Sequence, residues 1–322
     1  VSTAEKGRPF LLDCDTGIDD AMAIGVMLAD PGVDTVAITT TFGNVDVQQA
    51  AQNTLELLAL AGRPDVPVAA GATHPIGREF DGGAPQVHGG NGIGGISLPA
   101  ASRPLEPTAA AETIVRLARE HQGRLHIVAT GPLSNLAAAL ELDPELPGLV
   151  EHVTVMGGAA AAPGNVSPVA EANIWNDPIA AAAVFAAAWP MTMVGLDVTM
   201  RHLFTEPDRE ALLAAPGAVP RAIGEMLDVY FAFYEPILGF RGSALHDPLA
   251  MAIATGAVTM ALAPTVRVEI DATEGPGRGQ TIVDLRGKYS GYPEQSGAHC
   301  RVALQMADPF APVLRETLLR LP

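Results

Sequence analysis

Apolar positions along the chain follow two alternating rhythms. Short β-rich runs, PFLLDC (9–14), DTVAITTTFG (34–43), VPVAAG (66–71), RLHIVATG (124–131), HVTVMGG (152–158) and MTMVGLDV (191–198), read as buried strands, each closed by Gly, Asp or Thr. Between them DAMAIGVMLAD, VQQAAQNTLELLALAG, TAAAETIVRLAREHQG, LSNLAAALEL and DPIAAAAVFAAA carry helical spacing, with Gly62 and Gly123 as stops. Such a βαβ series predicts an α/β fold, an open, mostly parallel sheet with helices on both faces. Beyond residue 200 the pattern predicts a long helix (219–239), a second helix (246–256), strands at TVRVEI, QTIVDLRG and CRVALQM, and a closing helix over 309–321. Without an internal repeat or a linker tract, residues 1–322 read as a single domain, with 1–8 as a flexible N-terminal tail.

In open parallel sheets ligands sit outside the carboxyl ends of the strands, so polar residues directly after strands are the ones to weigh. Asp13, Asp15, Asp19 and Asp20 follow the first strand, Asn44 the second, Thr130 the strand LHIVA, and Met156, Gly157 and Gly158 the strand HVTV. The fold gathers them on one edge.

Composition narrows the partners. At 48% hydrophobic residues and a mean hydropathy of +0.24 the chain can bury a large core. A formal net charge of -17 opposes binding to nucleic acid or an anionic membrane, although carboxylates gathered around a divalent cation would inflate that count. Cys14 and Cys300 form no metal-thiolate spacing, and a reduced cytoplasmic setting is the simpler expectation than a disulfide. The start lacks a continuous apolar segment, so no signal peptide is expected, and the Ala-rich stretch at 180–195 reads as helix then strand rather than a membrane span.

Four acids crowded into DCDTGIDD repel one another unless something positive offsets them. Capping of the following helix by Asp19 or Asp20 would explain one carboxylate, not four. An EF-hand loop fails at Ile18 and Ile24, where Gly and Glu are required, and a D-x-D-x-T phosphatase loop fails at Gly17. A hard-cation site remains: Gly17 lets the chain fold Asp15 back toward Asp20, and a held cation would acidify a bound water.

Two further segments carry polar groups. In GNVSPVAEANIWNDP, Asp177 followed by Pro178 looks like an N-cap, which leaves Asn165, Glu171 and Asn173 without a capping role and suited to hydroxyl recognition on a sugar. In ALHDPLAMAIATG, Asp247 resembles an N-cap before Pro248, and His246 projects beside it. His88 sits in the Gly-rich VHGGNGIGG, which lacks the strand–helix context of a dinucleotide fingerprint.

Taken in order, DCDTGIDD, TFGN, VHGGNGIGG, ATGPLSNLA, VMGG, GNVSPVAEANIWNDP and LHDPLA resemble the segments of the inosine-uridine-preferring nucleoside hydrolases over roughly residues 10–255. The resemblance implies hydrolysis of the N-glycosidic bond of ribonucleosides to ribose and free base, a salvage activity, with a tightly held Ca²⁺. It implies Asp15, Asp20, the Thr130 carbonyl and Asp247 as ligands, and Asp15 as general base on a metal-bound water. Asp19, Asn44, Met156, Asn165, Glu171 and Asn173 match positions around the ribose, His88 a base-pocket histidine, His246 the acid for the departing base, and Asp13 a supporting position. A homotetramer or homodimer is implied as well. Two departures stand out: Thr16 where many members have Pro, and Ala172 where an aromatic is usual between the matched Glu and Asn. A nucleoside- or ribose-binding protein without turnover is the rival reading. A metal-dependent phosphatase is weaker, because no basic phosphate pocket accompanies the acids.

Overall fold

The computed structural model describes residues 7–322. Its strands are β1 (Arg8–Cys14), β2 (Val33–Thr40), β3 (Val68–Ala70), β4 (Leu125–Ala129), β5 (Val150–Met156), β6 (Met191–Val194), β7 (Leu203–Thr205), β8 (Gly242–Ala244), β9 (Met260–Leu262), β10 (Thr265–Val266), β11 (Val268–Ile270), β12 (Thr281–Val283), β13 (Cys300–Val302) and β14 (Gln305–Met306). Eight of them form one sheet in the order β10-β13-β6-β5-β4-β1-β2-β3. Every pairing in it is parallel except β10 with β13.

Alternation within β1 shows why the sheet is covered twice. Phe10, Leu12 and Cys14 enter one apolar cluster, and Leu11 enters the other. The first cluster is closed by helices α1 (Ile18–Ala29), α2 (Val47–Leu60), α10 (Ala218–Leu238), α11 (Asp247–Thr255) and α12 (Ala311–Leu318). The second is closed by α4 (Ala110–His121), α5 (Ser134–Leu142) and α7 (Pro178–Ala186). Shorter helices α3 (Pro85–His88), α6 (Ala172–Asn176), α8 (Leu196–Thr199) and α9 (Glu206–Leu213) complete the set. Among the described residues no helix is long and apolar enough to cross a membrane.

β1 is the pivot of the topology. From it the chain winds outward to β2 and β3 on one side and to β4, β5 and β6 on the other, which opens a crevice at the carboxyl ends of β1 and β4. Register fixes what meets there: Asp13 pairs with both Thr39 and Ala129, and Met156 with Val194. Asp15, Thr41, Thr130 and Gly157 therefore leave the sheet along one rim.

Several expected boundaries move, each for a local reason. Of the tail expected over 1–8, residues 1–6 lie outside the described residues, and Arg8 already opens β1. β6 stops at Val194 because extended Gly195 caps α8, so the apolar run that reads as continuous strand is half helix. TVRVEI divides between β10 in the main sheet and β11, which pairs with β12 in a separate hairpin. QTIVDLRG keeps only Thr281–Val283 as strand; the Asp284 side chain accepts the Arg286 N–H and turns the chain. Trp189 is fully buried in the core, whereas Trp175 lies under the Arg278 guanidinium, 4.5 Å from the ring centre.

Candidate active site

The acid loop follows β1. Gly17 takes the N-cap position of α1, and its N–H donates to Asp20 Oδ2 at 2.7 Å, so one of the four acids does serve the helix start. Asp20 Oδ1 accepts from the Thr130 hydroxyl at 2.7 Å, which ties the loop after β1 to the end of β4. Asn44 donates its backbone N–H to Asp15 at 2.8 Å and its side-chain amide to both Asp15 (3.1 Å) and Asp20 (3.2 Å). The Tyr230 hydroxyl donates to Asp19 Oδ2 at 3.1 Å. Asp13 faces the opposite layer and accepts from Thr39 and Asn135, so it braces the sheet edge without touching the other acids. Thr16, where Pro is usual, places its hydroxyl 2.6 Å from that of Thr54 on α2.

A Cβ on Gly43 would overlap Asp15 Oδ2, so this close approach requires glycine. Gly43→Ala is expected to displace the Asp15 carboxylate and lower kcat by about 100-fold while the circular dichroism spectrum stays unchanged. Unaltered kcat would show that the loop relaxes without moving Asp15.

The electrostatics point to a cation. Asp15, Asp19, Asp20 and Asp247 are all buried, and among the described residues no arginine or lysine pairs with any of them. Burial, reinforced by Asp20, pushes the Asp15 carboxyl well above the usual carboxylate range, and burial with Asp19 and Asp20 does the same to Asp247. Burial raises Asp19 to about 6 and, together with the Asp19 charge, Asp20 to about 6. Oxygens of Asp19, Asp20 and Asp247 lie within 4.8 Å of one another, and buried Asp19 Oδ1 has no hydrogen-bond partner. An all-oxygen cluster with an orphaned acceptor and no counter-charge fits a hard divalent ion.

The polar segment 165–177 is built around α6. Glu171 is buried and is the N-cap of that helix, accepting from Asn173 N–H (2.9 Å) and Ile174 N–H (3.2 Å); the expectation that it has no capping role is corrected. It also accepts from Gly158 N–H at 3.0 Å, and burial pushes it up to about 7. The Asn173 amide donates to the carbonyls of Thr130 (2.8 Å) and Met156 (3.1 Å), which joins this segment to the ends of β4 and β5. Asn165 Oδ1 accepts from Ala172 N–H. Asp177 caps α7 as expected and also holds the Ser134 hydroxyl and Ile76 N–H.

Asp197 on α8, not singled out in the sequence, accepts three consecutive N–H groups, from Ala160 (2.7 Å), Ala161 (2.8 Å) and Ala162 (2.9 Å). These precede the cavity-lining residues Pro163, Gly164 and Asn165. Asp197→Ala is expected to destabilise the fold by about 2–4 kcal/mol and to raise KM several-fold through loosening of Asn165. A melting curve and a steady-state titration check both, and an unchanged KM would show that the loop keeps its shape unaided.

On the other wall, His246 is the N-cap residue of α11, so the helix begins at Asp247 rather than after it. His246 Nε2 lies 2.7 Å from the Tyr234 hydroxyl and Nδ1 lies 2.9 Å from the Thr199 hydroxyl. Burial, then the neighbouring His88, lowers His246 to about 4. Burial likewise lowers His88 to about 4, and its Nδ1 accepts the Ile18 N–H at 3.1 Å. Tyr230 and Tyr234, one turn apart on α10, stack edge-on with ring centres 5.1 Å apart, and Tyr230 lies 5.4 Å from the His88 ring.

These walls enclose a cavity of about 710 Å³. Asp19, Asn44, His88, Thr130, Met156, Asn165, Glu171, Asn173, His246 and Asp247 all line it, while Asp15 and Asp20 meet it through Asn44 and Thr130. Tyr230, Phe233, Tyr234 and Ile237 of α10 line it too, and the sequence does not distinguish them from core. The signal available was the one-turn spacing of two tyrosines, whose hydroxyls need partners when buried.

A family profile described as inosine-uridine preferring nucleoside hydrolase matches residues 10–310. The chain belongs to this family. Among nucleoside hydrolases of known sequence it is 41% identical over 246 residues to the pyrimidine-specific ribonucleoside hydrolase RihA of Shewanella sp. (strain MR-4), covering 76% of this chain and 77% of that protein. It is 37% identical over 284 residues to uridine nucleosidase 1 of Arabidopsis thaliana, covering 87% and 82%. The plant nucleoside hydrolase PpNRh1 superposes with a TM-score of 0.90 at 32% identity over 98% of this chain and 99% of that one. The purine-preferring ribonucleoside hydrolase of Gardnerella vaginalis does so with 0.87 at 32% identity over 97% and 98%. A nucleoside hydrolase fold thus accounts for nearly the whole chain.

Proposed function

We propose that this ribonucleoside hydrolase cleaves the N-glycosidic bond of inosine and uridine with a resident Ca²⁺, Asp15 as general base and His246 assisting the departing base. The observation that carries the reading is the cavity itself, with uncompensated buried carboxylates on one wall and histidines ringed by tyrosines on the other. On the family resemblance Asp15, Asp20, Asp247 and the Thr130 carbonyl would hold the ion, beside Asp19, whose oxygen groups with those of Asp20 and Asp247; when bound, it would neutralise the acids, orient ribose hydroxyls and make water more acidic. Calcium suits a donor set of carboxylates and a carbonyl.

Asp15, held by two donors from Asn44, accepts the proton of the attacking water. Asp19, Asn44, Asn165, Glu171 and Asn173, with Met156 beneath, fix the ribose and stabilise the positive charge that grows on it as C1′–N breaks. Asp13 keeps the sheet edge in place through Thr39 and Asn135. The electron pair of the broken bond goes to the base nitrogen, which takes a proton passed in from solvent in the cavity through the His246 and Tyr234 pair, while the proton taken by Asp15 returns to solvent once ribose leaves. Burial holds the His246 ring toward its neutral form, and its contacts with the Tyr234 and Thr199 hydroxyls suit it to pass a proton rather than to store one. His88 and the aromatic face of α10 receive the base, a surface that supplies stacking in place of the aromatic missing at Ala172.

Incubation with uridine and inosine, read by reducing sugar and by chromatography of the free base, tests the reading. Equimolar ribose and base are expected; tight binding of either nucleoside without product would establish the binding-protein alternative. We also propose a homotetramer or homodimer, on the family resemblance, and a cytoplasmic setting, in keeping with two buried, unpaired cysteines.

A further inference from the structure

The loop that carries His88 is joined to the acid loop by a side chain that belongs to neither. Asn53 lies on α2 and is fully buried. Its Nδ2 donates to the carbonyl of Thr16 at 3.1 Å and to that of Asn91 at 2.8 Å, and its Oδ1 accepts from Gln49 at 2.9 Å. Thr16 stands between Asp15 and Gly17, and Asn91 lies three residues after His88. One amide therefore spans both halves of the site.

The rest of the His88 loop behaves as a unit. Asn91 folds it on itself, accepting from Ile93 and Gly95 N–H groups and donating to the Ile96 carbonyl. It is seated tightly as well: a Cβ on Gly92 would lie 2.9 Å from Val45 and 3.0 Å from Asn53, and one on Gly94 3.0 Å from the Met226 backbone. A second joint sets the His88 ring. Because the Ile18 N–H donates to Nδ1, that nitrogen carries no proton, so the neutral ring presents Nε2–H as a donor.

We propose that Asn53 is a positioning residue: by bridging the Thr16 and Asn91 carbonyls it holds His88 in register with the acid loop, so that the departing base meets an Nε2–H donor at a fixed offset from the ribose. The proposal rests on the placement of the base beside His88 given above. A purely structural amide would stabilise the fold and affect all substrates alike. A positioning amide acts through His88 and matters where the leaving group needs a donor.

The test compares N53L, H88A and the double variant on uridine, inosine and a 4-nitrophenyl riboside, whose leaving group needs no protonation. For N53L, kcat/KM is expected to fall by about 10- to 100-fold on the nucleosides and less than about threefold on the nitrophenyl riboside. The double variant is expected to be no worse than the weaker single one, the sign of residues acting as a unit. Equal losses on all three substrates, or losses that multiply in the double variant, would overturn the role. Should N53L fail to fold, N53S is read on the same substrates, and ring ¹⁵N shifts of the wild-type protein report the tautomer: Nε2–H is expected for His88, and Nδ1–H would overturn the proposal. Absence of nucleoside turnover in the wild type would instead sink the proposed function, which keeps the two failures apart.

Discussion

Asp15→Asn is expected to lower kcat/KM for every nucleoside by about 10³-fold or more, equivalent to about 4 kcal/mol of transition-state stabilisation. The loss should be general because the role proposed for Asp15 lies with the attacking water, which all substrates share, and not with the base. Asparagine fills the same space and still offers an acceptor to Asn44, which donates to both Asp15 oxygens in the native protein. Folding should therefore survive, and in the chelator-stripped protein removal of a buried carboxyl whose ionisation burial and Asp20 oppose should leave the melting midpoint unchanged or higher. A well-folded variant that still binds calcium but is inactive supports Asp15 as the base; near-native rates in a folded variant would remove it from the chemistry.

His246→Ala is expected to cost about 10²- to 10³-fold on inosine and uridine, and less than about tenfold on a 4-nitrophenyl riboside. The asymmetry follows from where the electron pair goes. A purine or pyrimidine anion is a poor leaving group unless a proton arrives as the bond breaks, whereas nitrophenolate leaves unaided. Alanine also strands the Tyr234 and Thr199 hydroxyls, each of which has His246 as a hydrogen-bond partner. A melting curve is therefore needed beside the kinetics. Equal losses on both kinds of substrate would assign His246 to cavity shape alone.

The parts of the site that the sequence reveals are those placed by the sheet. Asp15, Asn44, Thr130 and Met156 can be found because period-two strands end where their apolar alternation ends, and a parallel sheet delivers every such end to one rim. His246 and Glu171 are visible as residues but not in their local roles, since helix starts shift by a residue when caps compete. Glu171 caps α6 with a carboxylate that the pattern assigns wholly to the ligand. Tyr230 and Tyr234 are hidden for a different reason: on α10 an aromatic one turn from another reads as core packing, and only the hydroxyl partners Asp19 and His246 reveal the cavity wall. Asp197, Thr199 and Asn53 depend on contacts made tens of residues away, and local periodicity carries no information about those. The same limit hides the division of TVRVEI between two sheets, a choice made by pairing with residues 281–283 and 300–302.

Calorimetric titration of the chelator-stripped protein with calcium tests most directly whether the buried acids at the rim of the sheet form a cation site that supports turnover. One ion per chain is predicted to bind the wild type, with uridine hydrolysis returning in step with occupancy, and Asp20→Ala or Asp247→Ala is predicted to weaken binding at least about 100-fold. A stripped protein that takes up no calcium and still hydrolyses uridine at its full rate would contradict this.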